Sequence, residues 1–143
     1  MKLREIMSNQ VVTIHPEENV AVAARMLDRY NVGILPVMGH DGRLKGVITD
    51  RDIVTRCLSS GKAPEQTTVG EIMTGKIIAV RPDMEVSDAA AIMGAKQIRR
   101  LPVMENGKLC GMVSLGDLAR KEESSIEAGD ALTEISSHLS SRE

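Results

Sequence analysis

Two acids occupy matching places in this chain of 143 residues. Thr49-Asp50-Arg51-Asp52 and Ser114-Leu115-Gly116-Asp117 each set a hydroxyl three residues ahead of a carboxylate, where an apolar run gives way to a helical pattern. A carboxylate so placed can accept from two vicinal hydroxyls, and the free N–H groups where a helix starts after a strand favour a phosphate. The same spacing also suits a capping box, which is a purely structural device. Cations are distributed unequally between the copies. Arg99-Arg100 precede Leu101-Pro102, whereas Gly33-Ile34 precede Leu35-Pro36, and Arg51 adjoins Asp52. A guanidinium suits phosphate oxygens, so phosphate recognition is expected to be lopsided and the two sites unequal.

Other chemistry finds little support. There is no Gly-x-x-x-x-Gly-Lys loop, nucleophile elbow or metal-ligand cluster, and the acid pair Asp50/Asp52 has no counterpart because Leu115 replaces the first of them. The chain is therefore read as a non-enzyme that needs no cofactor. His15, His40 and His138 show no partner pattern and read as surface residues rather than metal ligands. Cys57 and Cys110 lack ligand spacing and read as buried or incidental thiols, and the nine methionines as core or interface filler. With a net charge of −2 and Tyr30 as the one aromatic residue, a nucleic-acid partner is not expected. No apolar run approaches the roughly 20 residues that cross a bilayer, and Met1-Lys2-Leu3-Arg4-Glu5 leads into no apolar signal segment. A cytoplasmic location is the expectation.

The elements that must position these residues come twice. Leu3-Arg4-Glu5-Ile6-Met7 returns as Val69-Gly70-Glu71-Ile72-Met73, and Ile14-His15-Pro16 as Val80-Arg81-Pro82, both shifted by 66 (69−3, 80−14). Each copy predicts a leading turn, a strand (Val11–Ile14, Ile77–Val80), a helix (from Asn19 or Val86), two hairpin strands and a closing helix. The first closing helix, Asp50–Leu58, would bury Ile53, Val54 and Cys57. The boundaries expected are 1–60 and 69–121 for the units, 61–68 for a linker and 122–143 for a helical tail with Ala128, Leu132, Ile135 and Leu139 on one face.

Pro-Val opening one strand, and Gly-[Val/Met]-[Ile/Val]-[Thr/Ser]-x-x-Asp-[Ile/Leu] closing the next, occur twice in the same order. In this the chain resembles the cystathionine β-synthase (CBS) domain, over about residues 1 to 121, and the pair resembles a stand-alone Bateman module. The resemblance implies an α/β (α+β) fold of two pseudo-symmetric units packed sheet to sheet, with clefts between them, often assembled as a homodimer. It further implies an adenosine-containing regulatory ligand such as AMP, ADP, ATP or S-adenosylmethionine, and a regulated protein partner. Asp52 and Asp117 would hold ribose, with Thr49 and Ser114 supplying hydroxyls. The base would lie against Thr13, Ile14, Ile34, Leu35 and Pro36 in one cleft, and against Val12, Ile78 and Ile98 to Leu101 with Pro102 in the other. A ligand-free dimerisation module is the alternative reading.

Overall fold

The computed structural model describes residues 1–120 and 125–140. Helix α1 (Val20–Tyr30) buries Val20, Ala21, Ala23 and Leu27, and the Asn19 side chain caps it by accepting from the Val22 N–H at 2.9 Å. It ends at Asn31, whose φ of 52° is left-handed, a conformation Asn tolerates. Its counterpart α4 (Val86–Lys96) ends the same way at Gln97.

An antiparallel hairpin follows each helix. In the first, β1 (Ile34–Met38) pairs with β2 (Leu44–Thr49); in the second, β3 (Arg100–Glu105) pairs with β4 (Lys108–Ser114). The registers correspond, Leu35 facing Ile48 and Leu101 facing Val113, with a bulge after Val37 and after Val103. The shorter second loop turns on Asn106-Gly107, both at positive φ, which is the geometry a two-residue hairpin favours.

The strands expected at Val11–Ile14 and Ile77–Val80 do not form. Each is reduced to a one-residue parallel bridge, Ile14 to Val37 and Val80 to Val103. Prolines explain the truncation. The Ile14 N–H donates to the Pro36 carbonyl and the Ile14 carbonyl accepts from the Met38 N–H, at 3.1 and 2.8 Å. The next bond on either side would need an N–H from Pro36 or Pro16, and neither has one. Pro102 and Pro82 stop the second bridge in the same way.

The first closing helix also departs from expectation. One α turn, α2 (Asp50–Asp52), widens into a six-residue π-helix, Ile53–Leu58. Ile53 and Cys57 stay buried, but Val54 is 56 % exposed. The Thr55 hydroxyl donates back to the Arg51 carbonyl at 2.8 Å, the kind of intrusion that loosens a helical ladder. The second closing helix, α5 (Leu115–Ala119), is short and regular.

The chain divides into two compact units, residues 12–77 and residues 1–11 with 78–143. Each leading turn thus completes the core that holds the other repeat's hairpin. Val69 and Ile72 of α3 (Val69–Ile72) join Ile14, Val20, Leu35 and Ile48; Leu3, in a 3-10 turn, joins Val80, Val86, Leu101 and Val113. Backbone pairs fix both arrangements. Val47 and Thr74 exchange bonds of 3.0 and 2.8 Å, and Ser8 and Met112 exchange bonds of 2.8 and 3.0 Å. Approach is close because Gly46 and Gly111 stand opposite: an added Cβ would lie 2.5 Å from the Thr74 carbonyl oxygen or 2.6 Å from that of Ser8.

Helix α6 (Ser125–Ser140) packs against α4 and α5. Ala128, Ala131 and Ile135 are buried in the second core, while Leu132, expected on that face, is 42 % exposed. Small residues set the approach, since a Cβ at Gly94 of α4 would lie 3.3 Å from the Ala131 Cα. Leu139 and His138 lie outside the residues whose side chains are described. No helix among the described residues is long and apolar enough to cross a membrane.

Candidate functional site

Both hydroxyl-acid pairs form closed capping boxes. Thr49 Oγ1 accepts from the Asp52 N–H at 3.0 Å while Asp52 Oδ2 accepts from the Thr49 N–H at 3.1 Å. Ser114 and Asp117 repeat this at 3.0 and 2.8 Å. One carboxylate edge is thereby used in each unit, and the remaining oxygens differ.

Asp52 is 7 % exposed. Its carboxylate accepts weakly from the Thr74 hydroxyl, 3.4 Å from each oxygen, and Arg56 Nη1 stands 3.8 Å from Oδ1. That guanidinium also donates to the Ile72 and Met73 carbonyls at 3.1 and 3.2 Å, satisfying the end of α3. Asp52 therefore ties the leading turn to the hairpin. Among the described residues Asp117 has no such neighbour, because Ser8, the counterpart of Thr74, turns its hydroxyl toward the Gln10 carbonyl. Its Oδ1 instead pairs with Arg120, whose side chain is 72 % exposed.

Beside the second capping box lies a pocket of about 510 Å³, between the start of β3, the start of α5 and helix α6; Ser114 lines it and Asp117 does not. Arg99, Arg100 and Arg120 line it with Ser114 and Gly116; Leu115, Ala119, Ala128, Gly129 and Leu132 supply its apolar wall. The volume suits a nucleotide-sized molecule. Three arginines lining one space favour an anion, and the apolar wall favours a flat, uncharged group.

Of the residues picked out from sequence, Arg99, Arg100 and Ser114 meet at this pocket. Leu35, Pro36, Leu101 and Pro102 are buried, and the two leucines have no exposed surface and belong to their units' cores. Ile34 is half-buried on β1, Ile78 packs partly against the second core, and Thr13 and Arg51 are exposed. Sequence reasoning missed Arg120 and the α6 wall. Arg120 follows Asp117 at helical spacing, which was a readable signal; the apolar stripe of α6 signalled that the tail docks, but not that it docks beside this pocket.

A second cluster also escaped the sequence reading. His15 and His40 stack with ring centroids 4.3 Å apart, and His40 Nε2 lies 3.2 Å from Glu17 Oε2. They are exposed as expected, yet they are not isolated. Cys57 is buried, and partial burial with the nearby Glu105 charge pushes the Cys110 thiol up.

The CBS-domain family model matches residues 3–59 and 69–124. The chain belongs to the CBS-domain family. This CBS pair is 41 % identical over 134 residues to the CBS domain-containing protein YhcV of Bacillus subtilis, covering 94 % of each chain. Among solved structures it is similar to Hypoxic Response Protein I with two coordinated zinc ions (34 % identity, 84 % and 98 % of the chains, TM-score 0.77). It is also similar to the CBS domain pair of protein MJ0100 in complex with 5′-methylthioadenosine and S-adenosyl-L-methionine (30 % identity, 84 % and 94 %, TM-score 0.76).

Proposed function

We propose that this CBS pair is a regulatory module that binds a phosphate-bearing adenine nucleotide at the Arg99–Arg100–Ser114–Arg120 pocket and conveys its occupancy to a protein partner. The observation that carries this reading is a pocket of nucleotide size lined by three arginines and an apolar wall. The adenosyl compounds bound by the MJ0100 pair support the adenosine half of the ligand. The arginines favour AMP, ADP or ATP over S-adenosylmethionine, which carries a sulfonium charge. Ser114, which lines the pocket, would meet ribose or phosphate, and Asp117 would join it only once Arg120 turns away from its carboxylate. Asp52, fastened to Thr49 and Thr74, would serve the fold, so the module has one strong site. Ligand would bias the conformations of the module by no more than its difference in affinity between them.

A thermal-shift series with AMP, ADP, ATP, 5′-methylthioadenosine and S-adenosylmethionine tests this. A ligand at 100 times its Kd adds about 2.7 kcal/mol to stability. Gly129→Leu is the decisive variant. Beyond its own helix backbone, a Cβ at Gly129 meets nothing within 4 Å, so the side chain enters the pocket without disturbing the helix. It should raise the melting temperature slightly and abolish the nucleotide response, and Arg100→Gln should weaken that response at least about tenfold. No response to any of these compounds in the unsubstituted chain, or an unchanged response in Gly129→Leu, overturns the proposal.

The two closed capping boxes favour a second reading, a ligand-free dimerisation module. Sedimentation equilibrium with and without nucleotide separates the two: a dimer indifferent to every compound supports the assembly role.

A further inference from the structure

Three residues that the nucleotide reading leaves unused meet on the surface of the 12–77 unit. His15 follows the bridging residue Ile14, Glu17 follows Pro16, and His40 sits in the β1–β2 loop. One ligand atom from each lies within 4.8 Å of the other two. We propose that His15, Glu17 and His40 form a binding site for a divalent transition-metal ion, with zinc as the natural probe.

The argument begins at Met38. Pro16 has no N–H to continue the parallel bridge, so the Met38 carbonyl is left to the His15 ring, whose Nδ1 lies 2.8 Å away. A carbonyl only accepts. Nδ1 must therefore carry the proton, and in the neutral ring Nε2 keeps its lone pair. An imidazole held through Nδ1–H by a backbone carbonyl is oriented as metal-ligating histidines are, with the partner fixing the tautomer and raising the basicity of the free nitrogen.

His40 and Glu17 complete the set. Their contact at 3.2 Å places a nitrogen and a carboxylate oxygen side by side, and the His15 ring stacks on His40 at 17° between planes. Stacked rings carry their nitrogens along one edge rather than aimed at one point. Convergence on an ion at about 2.0–2.1 Å needs rotation of the His40 side chain. That side chain is 71 % exposed, so the turn costs only its surface contacts with His15 and Glu17. Two imidazoles and a carboxylate are a borderline donor set suited to zinc, with a fourth position open to water. The ion would clamp the β1–β2 loop to the 14–17 segment.

Zinc titration of the full chain against a chromophoric chelator, with melting temperature followed in parallel, tests the site. One equivalent should bind and raise the melting temperature. His40→Gln and Glu17→Gln, both exposed and separate from the core, should each weaken binding at least about tenfold, the loss that even an orienting partner can cause. Circular dichroism confirms that the variants are folded. Failure to take up zinc overturns the proposal. So does uptake that His40→Gln and Glu17→Gln leave unchanged, which would place the ion on other ligands such as the cysteines. The nucleotide pocket plays no part in either outcome.

Discussion

Asp52 and Asp117 occupy equivalent places in the repeat and carry different loads. Both cap their helices, but Asp52 is almost fully buried and also receives the Thr74 hydroxyl, while Asp117 faces an exposed partner in Arg120. Removing a buried acceptor leaves its donors unpaired, so Asp52→Ala should cost about 2–3 kcal/mol against about 1 kcal/mol for Asp117→Ala in urea unfolding. Equal losses would mean that the Thr74 contact is immaterial. The hydroxyl-acid spacing was legible in the sequence. Its use was not, because a capping carboxylate and a sugar-binding one have the same local pattern, and only the neighbours brought in from residues 8 and 74 separate them.

At the scale of elements, prolines and glycines decided what the hydrophobic pattern could not. β-branched runs at Val11–Ile14 and Ile77–Val80 look like strands, but Pro16, Pro36, Pro82 and Pro102 remove the N–H groups a longer ladder would use. Those residues stood in the sequence; what was missing was the parallel register that sets them against one another. Gly46 and Gly111 are set in strands where a side chain would normally help. They are needed because another backbone runs alongside. Gly46→Ala and Gly111→Ala should each destabilise by about 1–3 kcal/mol, since the atom nearest the new Cβ is a backbone carbonyl oxygen that cannot move aside as a methionine side chain can. Chemical denaturation checks this, with Gly129→Ala, where a Cβ meets nothing, as the neutral or stabilising control.

Over the whole molecule, the sequence repeat and the compact unit are out of phase. Residues 12–77 hold a complete core, closed by Val69 and Ile72, whereas a fragment cut at the repeat boundary lacks both. A fragment of residues 12–77 should therefore unfold cooperatively in urea and give dispersed amide resonances. Residues 1–60 should do neither, because Leu3 finds no partner there and the Val47 backbone loses Thr74. A well-folded 1–60 fragment would show that the leading turns can be exchanged.

The amino-acid sequence by itself determined the duplication, the two hairpins, helices α1 and α4 with the Asn19 cap of the first, the paired hydroxyl-acid turns and the membership of the CBS family. All of these are written in short-range spacing. Tertiary structure alone decided which leading turn completes which core, which acid is sealed, that α6 walls the arginine pocket and that His15 meets His40. Leu3 and Val69 carry the same local pattern, so nothing in the spacing distinguishes packing on the near hairpin from packing on the far one. Choices of that kind depend on contacts between residues far apart in the chain.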